Sequence, residues 1–349
     1  MSYEYERVIT PSSGLRLHLN ENTAGCSPRV LAALHALTRE QAAFYPDYSA
    51  AVTACAARLG VGSDDVLLTN GLDEGILAAA VCAVRDRSLQ DPEALIVVPA
   101  FDMYAACADA AGARVVEIPA NRNFDFPLEG VLRAVSPRTR IVFVTTPHNP
   151  TGRVIERSSV LQIAAAAPQA LIFVDEAYAD FAGATFVGSP DVRPFANVVI
   201  GRTFAKAYGL AALRIGALVG HPATLAPIRR IVPPYSLNVC ASVALCAALA
   251  DTAYYEWYVA QVRASRTLLS QAFDRLGVRY WPSAANFVLA DFGRDAGRVV
   301  QGLAIKGVHV RDRSRDPLCP GCVRITTGIV EHTRTCIGAL EEVLCGAAS

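Results

Sequence analysis

Seven apolar runs of strand length, separated by segments of helical period, dominate the middle of this chain and leave few folds open to it. They are VLLTN (66–70), LIVVP (95–99), RVVEIP (114–119), RIVFVTT (140–146), LIFVD (171–175), NVVIGRTF (197–204) and IGALVG (215–220). Strands that are apolar throughout are buried on both faces, and their alternation with helices builds a mostly parallel sheet covered on both sides. The segments 73–84, 127–135 and 158–167 carry the helical spacing that such a sheet needs. The middle of the chain therefore reads as an α/β domain.

The remainder has a different pattern. A long helical segment, 252–276, precedes the shorter strand candidates ANFVLADF, VHVRD and CVRITT and a last helix over 331–344, which together read as a smaller α+β domain. A length of 349 residues suits one larger and one smaller domain. The division expected is 1–38 for an N-terminal arm and part of the small domain, 39–262 for the large domain and 263–349 for the small one.

Several function classes are excluded on composition. Thirty-two basic residues balance thirty-two acidic ones, so no net charge draws the protein to nucleic acid or an anionic membrane. The opening MSYEYERVIT lacks the basic and apolar regions of an export signal, and the longest apolar stretch, near 239–250, falls short of the roughly 20 residues that span a bilayer. A soluble, cytoplasmic protein is expected. Its ten cysteines, Cys240 and Cys246 among them, then read as reduced core residues, and the CPGC pair Cys319 and Cys322 has no second pair at zinc-ribbon distance. The six histidines are too dispersed for a metal site, so none is expected. Gly60-Val61-Gly62 lacks the third glycine of a dinucleotide fingerprint, and Lys206 lacks the glycine that precedes a phosphate-loop lysine.

Open α/β sheets bind ligands beyond the carboxyl ends of their strands. Three runs end there in polar residues: Asn149 follows one, Asp175 and Tyr178 follow another, and Thr203 and Lys206 follow a third. A carboxylate ending a buried apolar strand is costly unless something cationic faces it. Pyridoxal phosphate meets these demands together, because its ring nitrogen calls for an acid, its phenolic oxygen for donors and its aldehyde for a primary amine. Lysine occurs only twice in the chain, at 206 and 306. An arginine cannot replace it in a Schiff base, since guanidinium does not deprotonate. The phosphate has two candidate cradles: the turn Gly71-Leu72-Asp73 opening a helix, and Thr203 with Arg214.

The ordered set LNEN (19–22), YPD (45–47), NGLDE (70–74), PAFDMY (99–104), PHNPTG (147–152), DEAY (175–178), RTFAKAYGLAALRIG (202–216), SAANFVL (283–289) and RITTG (324–328) resembles the fold-type I pyridoxal-phosphate enzymes. Within them it is most similar to the histidinol-phosphate aminotransferase family, over nearly the whole chain. The resemblance implies that Lys206 carries the cofactor, Asp175 partners the ring nitrogen, Asn149 and Tyr178 donate to the ring oxygen and Phe101 stacks on the ring. Thr203, Arg214 and the amides of Leu72 and Asp73 would hold the phosphate, with Tyr45 reaching in from the other subunit of a homodimer. Arg324, Arg311 and Asn20 would contact substrate, and Lys206, Asp175 and Tyr178 would be the catalytic set. The implied activity moves an amino group between an amino acid or amino-alcohol phosphate and a 2-oxo acid such as 2-oxoglutarate.

Three departures from the family pattern stand out: a short N-terminal arm, Ala205 where a phosphate-binding serine is common, and Phe101 in place of tyrosine. They keep an aromatic amino acid open as substrate, and decarboxylation of a phosphorylated amino acid is open as a reaction on the same scaffold. A cofactor-sensing transcription regulator would need a basic DNA-binding domain ahead of this part, for which the chain has no room. Simpler readings also stand beside the site: Asp175 as a helix N-cap, Phe101 and Tyr45 as core or turn residues, and the 311–316 run around Arg311 as a solvated loop.

Overall fold

The computed structural model describes residues 11–85 and 90–345, so the first ten residues of the expected arm lie outside the described residues. Among the described residues twelve strands form two sheets: β1 (Leu15–Leu17), β2 (Val66–Thr69), β3 (Glu93–Val98), β4 (Arg114–Pro119), β5 (Thr139–Thr145), β6 (Leu171–Asp175), β7 (Val198–Thr203), β8 (Gly216–Gly220), β9 (Arg279–Tyr280), β10 (Phe287–Asp291), β11 (Val308–Asp312) and β12 (Cys322–Thr326). The larger sheet has the order β2-β8-β7-β6-β5-β3-β4. It is mostly parallel; β8 alone among its strands runs against both neighbours. Each of the seven apolar runs is one of its strands.

Alternation along these strands feeds two cores. Ile141 and Phe143 of β5 point to a core shared with the helices Gly71–Val84 and Met103–Ala110. Val142 and Val144 point to the other, shared with Leu128–Ala134 and Arg157–Ala166. Both faces of the inner strands are thus covered, which explains why they read as apolar runs; the edge strand β4, with Arg114 and Glu117 exposed, is the exception.

The smaller sheet has the order β1-β11-β12-β10-β9, with β1 parallel to β11 and the other pairs antiparallel. One face packs Leu17, Val288, Val323 and Ile325 under helices. The period of two then sends Arg324 and Thr326 of β12 to the opposite face, toward the large sheet. Helix Thr252–Leu276, about 37 Å long at 1.5 Å per residue, joins the two parts. Its Tyr258 and Val262 lie in a core of the larger part, whereas Leu269 and Phe273 lie in the core of the smaller one. The passage between the two cores therefore occurs within one unbroken helix.

Among the described residues no helix is long and apolar enough to cross a membrane, and no group of residues is arranged to hold a metal ion. The cysteines with described side chains are free. Cys240 and Cys246 are only partly buried rather than core residues, because helix Val239–Ala250 turns Ala241, Ala244, Leu245 and Ala248 inward instead. The 311–316 segment is not simply a solvated loop either: Arg313 is buried and ion-paired with Asp316.

Candidate active site

β5, β6 and β7 are parallel, so their carboxyl ends share one edge of the sheet. That edge presents Thr145, Asp175 and Thr203 as the last strand residues. β2 runs in the same direction, being antiparallel to β8, which is itself antiparallel to β7. Helix Gly71–Val84 therefore starts at the same edge. A cavity of about 150 Å³ opens there, and its walls include Lys206, Asp175, Asn149, Tyr178 and Phe101 at one part and Leu72, Asp73, Thr203 and Arg214 at another.

Asp175 is 4% exposed. Its Oδ2 accepts from Tyr104 Oη at 2.6 Å and its Oδ1 from the Ala177 amide at 2.8 Å. Among the described residues no cation pairs with it, and burial pushes its carboxyl up to about 6 against these two hydrogen bonds. Across the cavity Lys206 keeps part of its surface open to the cleft, and its Nζ donates to the Leu19 carbonyl at 3.0 Å. Burial, aided by the positive charge of Arg324, lowers its amine to about 8. An acid without a cation and an amine prone to lose its proton thus share one cavity.

The donors around them are oriented by neighbours. Tyr178 Oη accepts from Asn20 Nδ2 at 3.0 Å, which leaves its own proton free to be donated. Asn20 Oδ1 in turn accepts from Thr326. Asn149 Oδ1 accepts from Arg324 at 2.5 Å, so its amide nitrogen is left to donate elsewhere. The first turn of helix Gly71–Val84 has no side-chain cap. Its unclaimed amides and the positive end of the helix favour an anion. Arg214 lies beside it, paired with Asp73 at 2.9 Å, and Gly71 has φ +75° with no room for a Cβ against the Arg214 guanidinium. Thr203 Oγ1 accepts from the Ala205 amide at 3.2 Å.

Arg324 stands above this layer. It is buried, donates to the His18 carbonyl at 2.8 Å, and its Nε has no partner among the described residues. Burial first, and then Arg313, disfavour the charge on its guanidinium, which marks a place that an anion would stabilise. Arg311 faces Arg324 across β11 and β12 and adds positive charge. Tyr45 is elsewhere: it is 79% exposed, stacks on Tyr235 at 4.4 Å between ring centres, and lines a separate open surface cavity of about 900 Å³.

Sequence reasoning overlooked Tyr104, Thr145 and the Leu19 carbonyl. Tyr104 stands within PAFDMY, and its signal was available, since a buried strand-end carboxylate needs donors and a helix-borne tyrosine next to Phe101 supplies one. A backbone acceptor such as Leu19 leaves no residue-type signal. The site fits pyridoxal phosphate on its own observations: a buried carboxylate without a cation, an uncapped helix start and a buried amine in one cavity.

Comparison with known proteins gives a consistent result. The family model described as "Aminotransferase class I and II" matches residues 12–337. The chain is 33% identical to the histidinol-phosphate aminotransferase of Moorella thermoacetica, covering 98% of this chain and 88% of that protein. It is 36% identical to histidinol-phosphate aminotransferase 2 of Ralstonia nicotianae, covering 95% and 89%. The crystal structure of histidinol-phosphate aminotransferase from Sinorhizobium meliloti in complex with pyridoxal-5'-phosphate superposes with a TM-score of 0.83 at 28% identity, covering 96% of this chain and 92% of that one.

Proposed function

Since the chain belongs to the class I and II aminotransferases and is a pyridoxal-phosphate-dependent aminotransferase, we propose that it acts on an amino donor with a distal phosphate, histidinol phosphate or a close relative, and returns the amine to a 2-oxo acid such as 2-oxoglutarate. The observation that carries this reading is the pairing in one cavity of the uncompensated Asp175 with Lys206, beneath a buried arginine that lacks an anion. Bound pyridoxal phosphate supplies an aldehyde that condenses with amines and a ring that stores an electron pair.

The chain's own residues do the rest. Lys206 holds the cofactor and, once released by substrate, moves a proton on and off the substrate carbon through Nζ. An amine lowered to about 8 has a substantial neutral fraction near neutral pH. Asp175, as a carboxylate, would accept from the protonated ring nitrogen and keep the proton there. Asn149 and Tyr178 donate to the ring oxygen with the atoms that Arg324 and Asn20 leave free. The amides of Leu72 and Asp73, with Thr203 and Arg214, hold the phosphate of the cofactor. Arg324 binds the substrate carboxylate or phosphate, with Arg311 lining the same pocket. Tyr45, exposed beside Phe44 and Tyr235, reaches the site of a second copy in a homodimer.

A panel of amino donors and 2-oxo acids, followed through the cofactor's absorbance, tests this. Histidinol phosphate should drive the half-reaction at least tenfold faster, as kcat/KM, than phenylalanine or tyrosine. The aromatic amino acids outpacing it would replace the substrate assignment, and stoichiometric carbon dioxide from a phosphorylated amino acid would replace the reaction.

A further inference from the structure

Tyr104 occupies an unusual place. It is wholly buried, lies parallel to Phe143 with 4.9 Å between ring centres and meets Phe101 edge to face at 5.6 Å. Among the described residues its hydroxyl hydrogen-bonds to two groups, Asp175 Oδ2 at 2.6 Å and Thr145 Oγ1 at 2.8 Å. A phenol has one proton. When Asp175 is ionised that proton belongs to the carboxylate, so the Thr145 hydroxyl must donate to Tyr104. The three residues form a directed chain, Thr145 to Tyr104 to Asp175, built from two neighbouring strand ends and one helix.

We propose that Tyr104 is a positioning residue that decides where the proton shared by Asp175 and the cofactor ring nitrogen resides, keeping the carboxylate the weaker base of the two. This rests on the assignment of Asp175 to the ring nitrogen. A pyridine nitrogen is a modest base. A carboxylate buried without donors would compete with it for the proton, and a neutral acid beside a neutral ring could not draw electrons from the substrate. Burial already raises Asp175, and the nearby charges of Asp73 and Glu176 raise it further. Tyr178 also faces it, Lys206 and Arg214 line the same cavity, and the hydrogen bond from Tyr104 is the largest influence in the opposite direction. Tyr104 is thus the group that sets the balance toward a protonated ring.

The test combines two readouts on Tyr104→Phe, which keeps the ring, its stacking on Phe143 and the edge contact with Phe101. In cofactor-free protein, the Asp175 carboxyl is titrated by carbon NMR on labelled aspartate, assigned with Asp175→Asn. In protein loaded with ring-labelled pyridoxal phosphate, the nitrogen chemical shift reports whether the ring is protonated. The lost bond to a charged group should move the proton equilibrium about tenfold to a hundredfold in both experiments. The carboxyl titrates one to two pH units higher, roughly, and the ring nitrogen shifts toward its unprotonated position with cofactor still bound. Thr145→Val, which removes the donor to Tyr104, should shift both in the same direction by less. An unchanged carboxyl titration in Tyr104→Phe would overturn the proposal. So would an altered carboxyl with an unmoved ring nitrogen, provided Asp175→Asn deprotonates the ring. If Asp175→Asn also leaves the ring protonated, the assignment of Asp175 itself fails, and the proposal fails with it.

Discussion

Asp175→Asn is expected to stabilise the cofactor-free protein while destroying its catalysis. The wild-type carboxyl is raised from 3.8 to about 6 by burial. At about 1.4 kcal/mol for each tenfold change in proton affinity, that difference amounts to roughly 3 kcal/mol. A carboxyl raised by folding favours the folded state below 3.8, where it is protonated either way, and this contribution is lost as pH rises through 6. Above that point the folded protein holds a buried charge that the unfolded chain leaves in water. Asparagine carries no such charge. It also keeps both existing contacts, because its Oδ1 still accepts from the Ala177 amide while Tyr104 turns to accept from Nδ2 and donate to Thr145. Parallel thermal and urea melts of cofactor-free wild type and variant between pH 4 and 8 measure the effect. The variant's advantage should grow from pH 4 to 6 and then level off at up to about 3 kcal/mol. Added pyridoxal phosphate should stabilise the wild type more than the variant, since only the wild type gains a cation for its carboxylate. A variant less stable than wild type at pH 8, or a gap that does not change with pH, would show that Asp175 is not an uncompensated buried charge.

Three further outcomes follow from the site. The rate at which cofactor-free protein captures pyridoxal phosphate should rise with pH and level near pH 8, where Lys206 loses its proton, rather than climbing to the ordinary lysine value of 10.5. Stopped-flow absorbance measures it. Arg324→Gln should lower kcat/KM by about thirtyfold or more, from the roughly 2–5 kcal/mol attached to a buried charged contact, with the loss largest for the most anionic substrate. Steady-state kinetics with paired charged and uncharged donors distinguish this from general misfolding. Tyr45→Ala, although the side chain is 79% exposed in one chain, should weaken cofactor binding at least tenfold. Mixing it with Lys206→Ala should restore activity, because a mixed dimer contains one intact site.

The architecture was legible because strands buried on both faces leave short apolar runs that end in polar or turn residues. All seven apolar runs became strands of the larger sheet, and VHVRD became β11 with both ends in place. The two strands that were missed, β1 with three residues and β9 with two, are too short to show any period. Strand ends also pointed to the site: Asn149, Asp175, Thr203 and Lys206 do meet at one sheet edge. What the sequence hid were relations rather than residue types. That Asn20 orients Tyr178, that Arg324 orients Asn149 and that Tyr104 satisfies Asp175 all depend on contacts between residues 71 to 175 positions apart. The charged 311–316 run leaves a solvated loop open as a reading, but the turn after β11 folds Arg313 inward against Asp316.

The proposal that one amine, Lys206, carries the cofactor is directly testable, because lysine occurs only at 206 and 306. Borohydride reduction of the protein saturated with pyridoxal phosphate, followed by peptide mass mapping, should place one stable pyridoxyl group on Lys206 and none on Lys306, whose amine is ion-paired with Glu342. Label confined to Lys306, or no label on a fully saturated preparation, would contradict the account.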